Sequence, residues 1–480
     1  MNRRMILHMV GQIVMLEAVL LMLPLTVSLI YGEKCVISLA VTAILTVTVG
    51  LVMTLISRPG YRTIYAKEGF VIVALAWLLM SAIGALPFVI SGEIPSFIDA
   101  FFETVSGFTT TGASILTDIE SMSRGLLFWR SFTHWIGGMG VLVLIMAILP
   151  ADSGRSIHIM RAEVPGPSVG KLVPKIRSTA KILYMIYIAL TGLEIVFLLC
   201  GGMPLFDSVV HAFGTAGTGG FGIKSDSIAG YSPYLQWVIT VFMLLFGLNF
   251  NVYFLIVIGR FRTAIKSSEM WCMLGIFAAS ATTIAVNIYP LCQNVEKAIR
   301  LSAFQVSSIL TTTGYATADF DLWPDLSKTI LFVLMFIGGC AGSTAGGLKV
   351  SRIILLFKLM RRNLHNMLHP RSVGIVRFDG KRIDDKTLDN VSAYFALYVG
   401  CFVAAILLIS FEPFGFESNV SAVAACINNV GPGFAAVGPT ACYAGYSWFS
   451  KLILSMAMLI GRLEIYPIIL ALMPSTWIKK

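Results

Sequence analysis

The chain has 480 residues, 57% of them hydrophobic and only 12% charged, with a mean hydropathy of +0.83. Soluble domains carry roughly 25% charged residues, so the composition excludes a soluble enzyme or regulatory module and makes lipid the solvent. The net charge of +10 does not point to nucleic acid, because the basic residues gather in alternating connections, the pattern that places Lys and Arg in cytoplasmic loops.

Apolar runs near the length needed to cross a hydrocarbon core of roughly 30 Å are predicted at 6–31, 36–57, 70–92, 127–149, 180–201, 233–258, 270–290, 325–357, 390–411 and 447–473. The first lacks a small-residue cleavage site and reads as a retained span. The N-terminus (Arg3, Arg4), 58–67, 155–181, 260–266, 349–386 and Lys479-Lys480 hold most of the 35 basic residues. Both termini are therefore expected in the cytoplasm, where such a surface also attracts anionic membrane lipid. Eight scattered cysteines form no CxxC pair and have no neighbouring His; they read as small packing residues.

Inside each later pair of spans lies a segment too short to cross and ending in Thr and Gly: 98–114, 206–222, 300–316 and 419–435. Aligned on Gly112, Gly220, Gly314 and Gly433, the four recur at spacings of 108, 94 and 119 residues. The pattern predicts an all-α integral membrane protein with four pseudo-repeats of helix, re-entrant pore loop and helix around a central pore. Two extra N-terminal helices occupy 1–65, and the repeats run 66–155, 156–265, 266–360 and 361–480.

A single TTTG would mean little, because Gly and Thr are common where transmembrane helices approach closely. Four aligned copies mean more. Irregular backbone at membrane depth is tolerated only where it is buried in protein or lines a water-filled cavity. A short helix descending into the membrane points its negative C-terminal end at the centre, which favours a cation. Extended Thr-Gly backbone beyond it can offer carbonyl oxygens in place of an ion's hydration shell. The expected K+ filter is Thr110, Thr111, Gly112, Thr218, Gly219, Gly220, Thr312, Thr313, Gly314, Gly431, Pro432 and Gly433, holding the ion through backbone carbonyls. K+ is then the transported ion, with no bound organic cofactor.

With these repeats, FWRSFTHWIGGMG (128–140), GGCAGSTAGGLK (338–349) and IGRLEIYP (460–467), the chain resembles the TrkH/TrkG/KtrB family of bacterial potassium transporters over essentially its whole length. The extra N-terminal pair resembles TrkH and TrkG rather than the shorter KtrB. The resemblance implies a homodimer with one pore per protomer, a cytosolic TrkA-like nucleotide-binding regulatory subunit, and a place in the bacterial inner membrane. Only repeats one and three keep TTTG, so the filter departs from four-fold regularity.

The third repeat's second span is interrupted by small residues, Gly338, Gly339, Gly342, Ser343, Thr344, Gly346 and Gly347, followed by Lys349. Helix is disfavoured there, since each Gly costs roughly 0.8–1.0 kcal/mol against Ala. The run reads either as close helix packing or as a mobile loop that closes the pore, the role the resemblance implies. Its likeness to GxxxxGK[ST] fails, because the lysine comes one place late and no Ser or Thr follows it.

Arg462 lies deep in the last span, where an unpaired charge is costly. It reads either as a structural partner of Glu464 or as a positive barrier in the pore, and the resemblance implies the second. Asp99, Glu103, Asp118, Glu120, Asp207, Asp226, Asp319, Asp321 and Glu417 are expected around the outer vestibule, as cation attractors or as solvated loop carboxylates. His134 and His211 read as hydrogen-bonded packing residues. No nucleophile with a base on facing helices and no HExxH pair is present, so an ion transporter is expected rather than an enzyme. The expected function is K+ uptake driven by the membrane potential, with symport coupled to H+ or Na+ as the alternative.

Overall fold

The computed structural model describes residues 2–57, 66–140, 176–372 and 374–477. The basic connections expected at 58–67 and 155–181, the end of the run 127–149 and Lys479-Lys480 lie wholly or partly outside them. Among the described residues the fold is helical apart from a short hairpin, Arg377–Phe378 with Lys381–Arg382, and one bridge between Ile337 and Leu348.

Six described helices are long and apolar enough to cross a membrane. Two form the N-terminal pair, Arg3–Tyr31 and Val36–Ile56, and the others are Lys67–Ser91, Ala180–Cys200, Ser268–Cys292 and Asp385–Ile409, one opening each copy. After each comes a pore helix: Phe97–Phe108, Leu205–Gly217, Val295–Leu310 and Phe416–Ile427. Their faces are buried, and Ser96 and Asn294 accept the N–H of Asp99 and Lys297 to start two of them.

The inner helix that closes each copy differs from the continuous span expected. Arg124–Gly138, Pro233–Gly247, Asp325–Met335 and Trp448–Arg462 all stop after 11 to 15 residues. Interruption is thus a property of every copy, not of the third alone. The causes are local. In the second copy Asn249 accepts the Asn251 N–H and starts a new helix, Phe250–Val257, turned by 89°. In the fourth, Glu464 and Ile465 both take left-handed backbone, φ 56° and 67°, a conformation that strains a β-branched residue. The Glu464 carboxylate is held by Arg352, Nη2 to Oε2 2.6 Å, so its partner is not Arg462.

The copies close into a ring. Each inner helix packs on the next copy's pore helix: Arg124–Gly138 on Leu205–Gly217, Pro233–Gly247 on Val295–Leu310, Asp325–Met335 on Phe416–Ile427, and Trp448–Arg462 on Phe97–Phe108. The N-terminal pair stands outside this ring against the first copy. Its helices cross closely because Gly50 faces the backbone of Gly11, where a Cβ would collide. Glu33, in the turn between them, accepts the N–H groups of Arg124 (2.7 Å) and Gly125 (2.9 Å), a carboxylate on the positive end of the first inner helix.

Candidate ion pathway

All four pore helices end in the same backbone form. Thr110, Thr218, Thr312 and Asn429 are left-handed, with φ of 54°, 55°, 56° and 55°, and two residues on so are Gly112, Gly220, Gly314 and Gly431, at 81°, 73°, 85° and 98°. Left-handed backbone costs a non-glycine residue roughly 1–2 kcal/mol. Hydrogen bonds offset that cost: Thr111, Gly219, Thr313 and Val430 donate their N–H to the carbonyls of Ser106, Gly214, Ser308 and Ala425 at 2.9, 2.8, 2.7 and 2.8 Å.

This fixes the register of the fourth copy. The glycine equivalent to Gly112 is Gly431, two residues before the Gly433 on which the sequences were aligned. Gly433 lacks a positive φ, and its N–H donates to the Val437 carbonyl at 2.7 Å, beyond the turn. The ambiguity arises because the fourth copy carries two glycines around Pro432, and because Asn429 stands where the other copies have Thr.

The four turns converge. A Cβ on Gly112 would collide with the Gly219 carbonyl oxygen, one on Gly220 with that of Thr313, one on Gly314 with that of Val430, and one on Gly431 with that of Thr111. Each glycine therefore rests on the residue before the glycine of the next copy, and the series returns to its start. Gly112, Gly220, Gly314, Gly431 and Pro432 together line a cavity of about 350 Å³.

Among the described residues, none of the nine acidic residues expected at the vestibule lines this cavity; Arg130 and Lys224 do. The carboxylates have other work. Glu103 pairs with Arg130 (2.6 Å), whose Nη1 donates to the Gly222 carbonyl at 3.0 Å and whose guanidinium stacks on Phe221. Asp99 pairs with Lys451 at 2.6 Å, Asp207 accepts from Tyr231 at 3.0 Å, and Asp321 accepts the Ala435 N–H at 2.8 Å. His134 Nδ1 lies 2.8 Å from the Gly107 carbonyl and His211 lies between Tyr231 and Tyr315, so both are bonded packing residues.

Beneath the turns lies the Gly-rich segment of the third copy, which is not helical. It closes on itself, Gly338 N–H to the Leu348 carbonyl at 2.7 Å and Val350 N–H to the Gly339 carbonyl at 3.2 Å. Gly342 and Gly347 take φ of 72° and 68° at its bends, a conformation open to glycine. The buried Lys349 directs its ammonium back onto the carbonyls of Ala345 and Gly346. The break in the second copy receives the segment: Cys340 N–H donates to the Gly247 carbonyl (2.9 Å), Phe250 N–H to that of Gly342 (3.1 Å) and the Thr344 hydroxyl to that of Phe246 (3.3 Å).

Two contacts tie the segment to the axis. Gly346 N–H donates to the Thr312 hydroxyl at 2.6 Å. Arg462 donates to the carbonyls of Thr344 (2.7 Å), Gly137 (2.6 Å) and Gly138 (2.7 Å), joining the fourth copy to the loop and to the end of the first inner helix. Charge-assisted bonds of this kind contribute about 1.5–3 kcal/mol each, which accounts for a guanidinium at this depth.

Sequence reasoning did not find Glu269. Its Oε1 accepts the N–H groups of Ala341 (2.7 Å) and Ser351 (3.0 Å), pinning both ends of the loop from the outer helix of its own copy. A lone carboxylate at the start of an apolar run was the only signal. The Asn429 amide was also missed; it donates to the Thr111 hydroxyl at 3.0 Å and the Met458 carbonyl at 2.9 Å.

Fold and ring define a multi-pass membrane protein built around a polar axial cavity. The TrkH family profile, described as cation transport protein, matches residues 38–279 and 270–479. The chain is 34% identical over 484 residues to the Trk system potassium uptake protein TrkH of Salmonella typhimurium, covering 99% of this chain and 100% of that one. It is 34% identical over 481 residues to the Trk system potassium uptake protein TrkG of Escherichia coli K12, covering 99% and 98%. A crystal structure of the potassium transporter TrkH from Vibrio parahaemolyticus superposes with a TM-score of 0.89 at 32% identity, each chain covered in full. The chain belongs to the TrkH family of cation transport proteins, and it is a transporter rather than an enzyme.

Proposed function

We propose that the chain is a potassium uptake pore of the cytoplasmic membrane whose filter is the ring of four left-handed turns. The observation that carries this reading is the cyclic contact of Gly112, Gly220, Gly314 and Gly431 with the carbonyl preceding the next copy's glycine. Such a ring leaves no room for side chains and presents backbone to an ion. The names of the relatives, potassium uptake proteins of the Trk system, supply the ion. On this reading residues 110–112, 218–220, 312–314 and 429–431 form the filter, with Pro432 and Gly433 beyond it. Residues 1–65 are an accessory pair, and 66–155, 156–265, 266–360 and 361–480 are the four quarters.

The loop from Gly338 to Lys349 is the gate, held shut by Thr312, Arg462 and Glu269. Arg3, Arg4, Arg260, Arg262 and the basic stretch 349–386 belong on the cytoplasmic side with both termini. Inward K+ flow draws on a membrane potential worth about 2.3 kcal/mol per charge per 100 mV, without nucleotide hydrolysis by this chain. The Trk system named for the relatives implies further components; a homodimer and a cytosolic TrkA-like nucleotide-binding subunit acting on the loop fit that name.

Rubidium or potassium flux into proteoliposomes holding the purified protein and a K+ gradient alone tests the proposal. Flux is expected under these conditions. Flux that begins only after a H+ or Na+ gradient is added would overturn the simple pore in favour of symport.

A further inference from the structure

We propose that the groove between the N-terminal helix pair and the first copy binds one anionic phospholipid, with its phosphate at Arg3 and an acyl chain between the helices. The groove holds about 510 Å³ and is walled by Leu7 and Val10 on one helix, Met53 on the next, and Leu75 and Leu79 on the first outer helix. Arg3 and Trp477 complete it.

Arg3 is the only charged residue in the lining, and both Arg3 and Arg4 are exposed. Val10 lies seven residues along the same helix, so at 1.5 Å per residue the apolar wall extends about 10 Å from the guanidinium. A charged head joined to a hydrocarbon tail fits that sequence of chemistry, and a soluble anion does not. Guanidinium pairs with phosphate bidentately. The Trp477 indole N–H donates to the Ala471 carbonyl at 2.8 Å, which fixes the ring where aromatic residues meet the headgroup region of a bilayer. With the N-terminus in the cytoplasm, as the uptake reading requires, this end faces the leaflet that carries anionic lipid.

The location gives the lipid a structural role. Trp477 belongs to the segment that follows Arg462, and Tyr466–Leu472 of that segment packs along the first outer helix. A lipid in the groove therefore joins the accessory pair to the C-terminal segment below the ring.

Native mass spectrometry of the full-length protein, equilibrated with equal amounts of dioleoylphosphatidylglycerol and dioleoylphosphatidylcholine, tests the site. Lipid retention is read in detergent without transport, so its outcome is separate from that of the uptake reading. The wild type is expected to retain one phosphatidylglycerol per chain in preference to phosphatidylcholine. Arg3→Gln should reduce that preference by about fivefold, the factor for one basic residue at an anionic surface. Ala82→Trp, which fills the groove, should lose retention of both lipids. Equal retention of the two lipids by the wild type, or an unchanged ratio in Arg3→Gln, would overturn the proposal. Should Ala82→Trp not fold, the exposed Arg3→Gln variant decides alone.

Discussion

The Gly346 N–H donates to the Thr312 hydroxyl at 2.6 Å, so the loop of the third copy is bonded directly to the turn of the same copy. Thr110 occupies the equivalent position in the first copy, where its buried hydroxyl has no bonding partner. The two threonines share a backbone form and differ in whether the loop holds them.

Thr312→Val removes the acceptor and leaves a buried N–H unpaired when the loop is shut, a loss of roughly 1–3 kcal/mol. Open probability in planar bilayers should rise by about fivefold or more, since 1.4 kcal/mol is a factor of ten in an equilibrium. Thr110→Val is the control and should leave gating unchanged. Equal behaviour of the two variants would argue against the loop bond.

The register of the fourth copy predicts different outcomes at neighbouring glycines. Gly431→Ala places a Cβ against the Thr111 carbonyl at a left-handed position and should weaken the preference for K+ and Rb+ over Na+, as Gly112→Ala should. Gly433→Ala crowds Ser421 and Val437 and should lower thermal stability while keeping the selectivity. Relative Rb+ and Na+ flux in proteoliposomes separates the cases.

Arg462→Gln gives up charged bonds to three carbonyls from two copies. Conductance without any partner subunit should rise several-fold. Arg462→Lys keeps the charge, but its compact ammonium cannot span the same fork, so its conductance should fall between Gln and wild type. Single-channel recording of all three proteins checks the order; a Lys variant identical to wild type would reduce the role of Arg462 to charge alone.

Arg352 and Glu464 are buried or nearly so and hold the strained turn at 464–465. Arg352→Ala or Glu464→Ala should each destabilise by roughly 3–5 kcal/mol, the penalty for orphaning a buried charge. The double variant should cost far less than the sum. Thermal unfolding of the four proteins in detergent measures the coupling, and simple additivity would contradict it.

The repeat architecture was legible because composition, span length and the recurring Thr-Gly ends all act locally. The loop 338–347 and Arg462 were legible for the same reason: small residues inside an apolar run and a charge at depth violate the local rule. What was hidden depends on backbone form. Nothing in Val-Gly-Pro-Gly says which glycine is left-handed until the bond from Val430 N–H to the Ala425 carbonyl counts back to the helix end. The short inner helices were hidden too, since 233–258 and 447–473 stay apolar through their breaks. Glu269 and Arg352 find their partners 72 or more residues away, a separation that periodicity does not register. The acidic residues were assigned to the vestibule from position in the sequence, yet Asp99 and Glu103 are spent on Lys451 and Arg130.

The cyclic contact of the four glycines has a genetic consequence. In a homotetrameric channel one codon change alters every quarter of the filter at once, and most such changes are ruinous. Here each quarter has its own codons, so a substitution samples one position in four and disturbs chiefly the copy whose carbonyl it meets. Tolerance should therefore be directional around the axis, with compensating changes found in the following quarter rather than the preceding one. Selectivity can drift in small inherited steps, and the unlike ends Thr-Thr-Gly, Thr-Gly-Gly and Asn-Val-Gly are what such drift leaves behind.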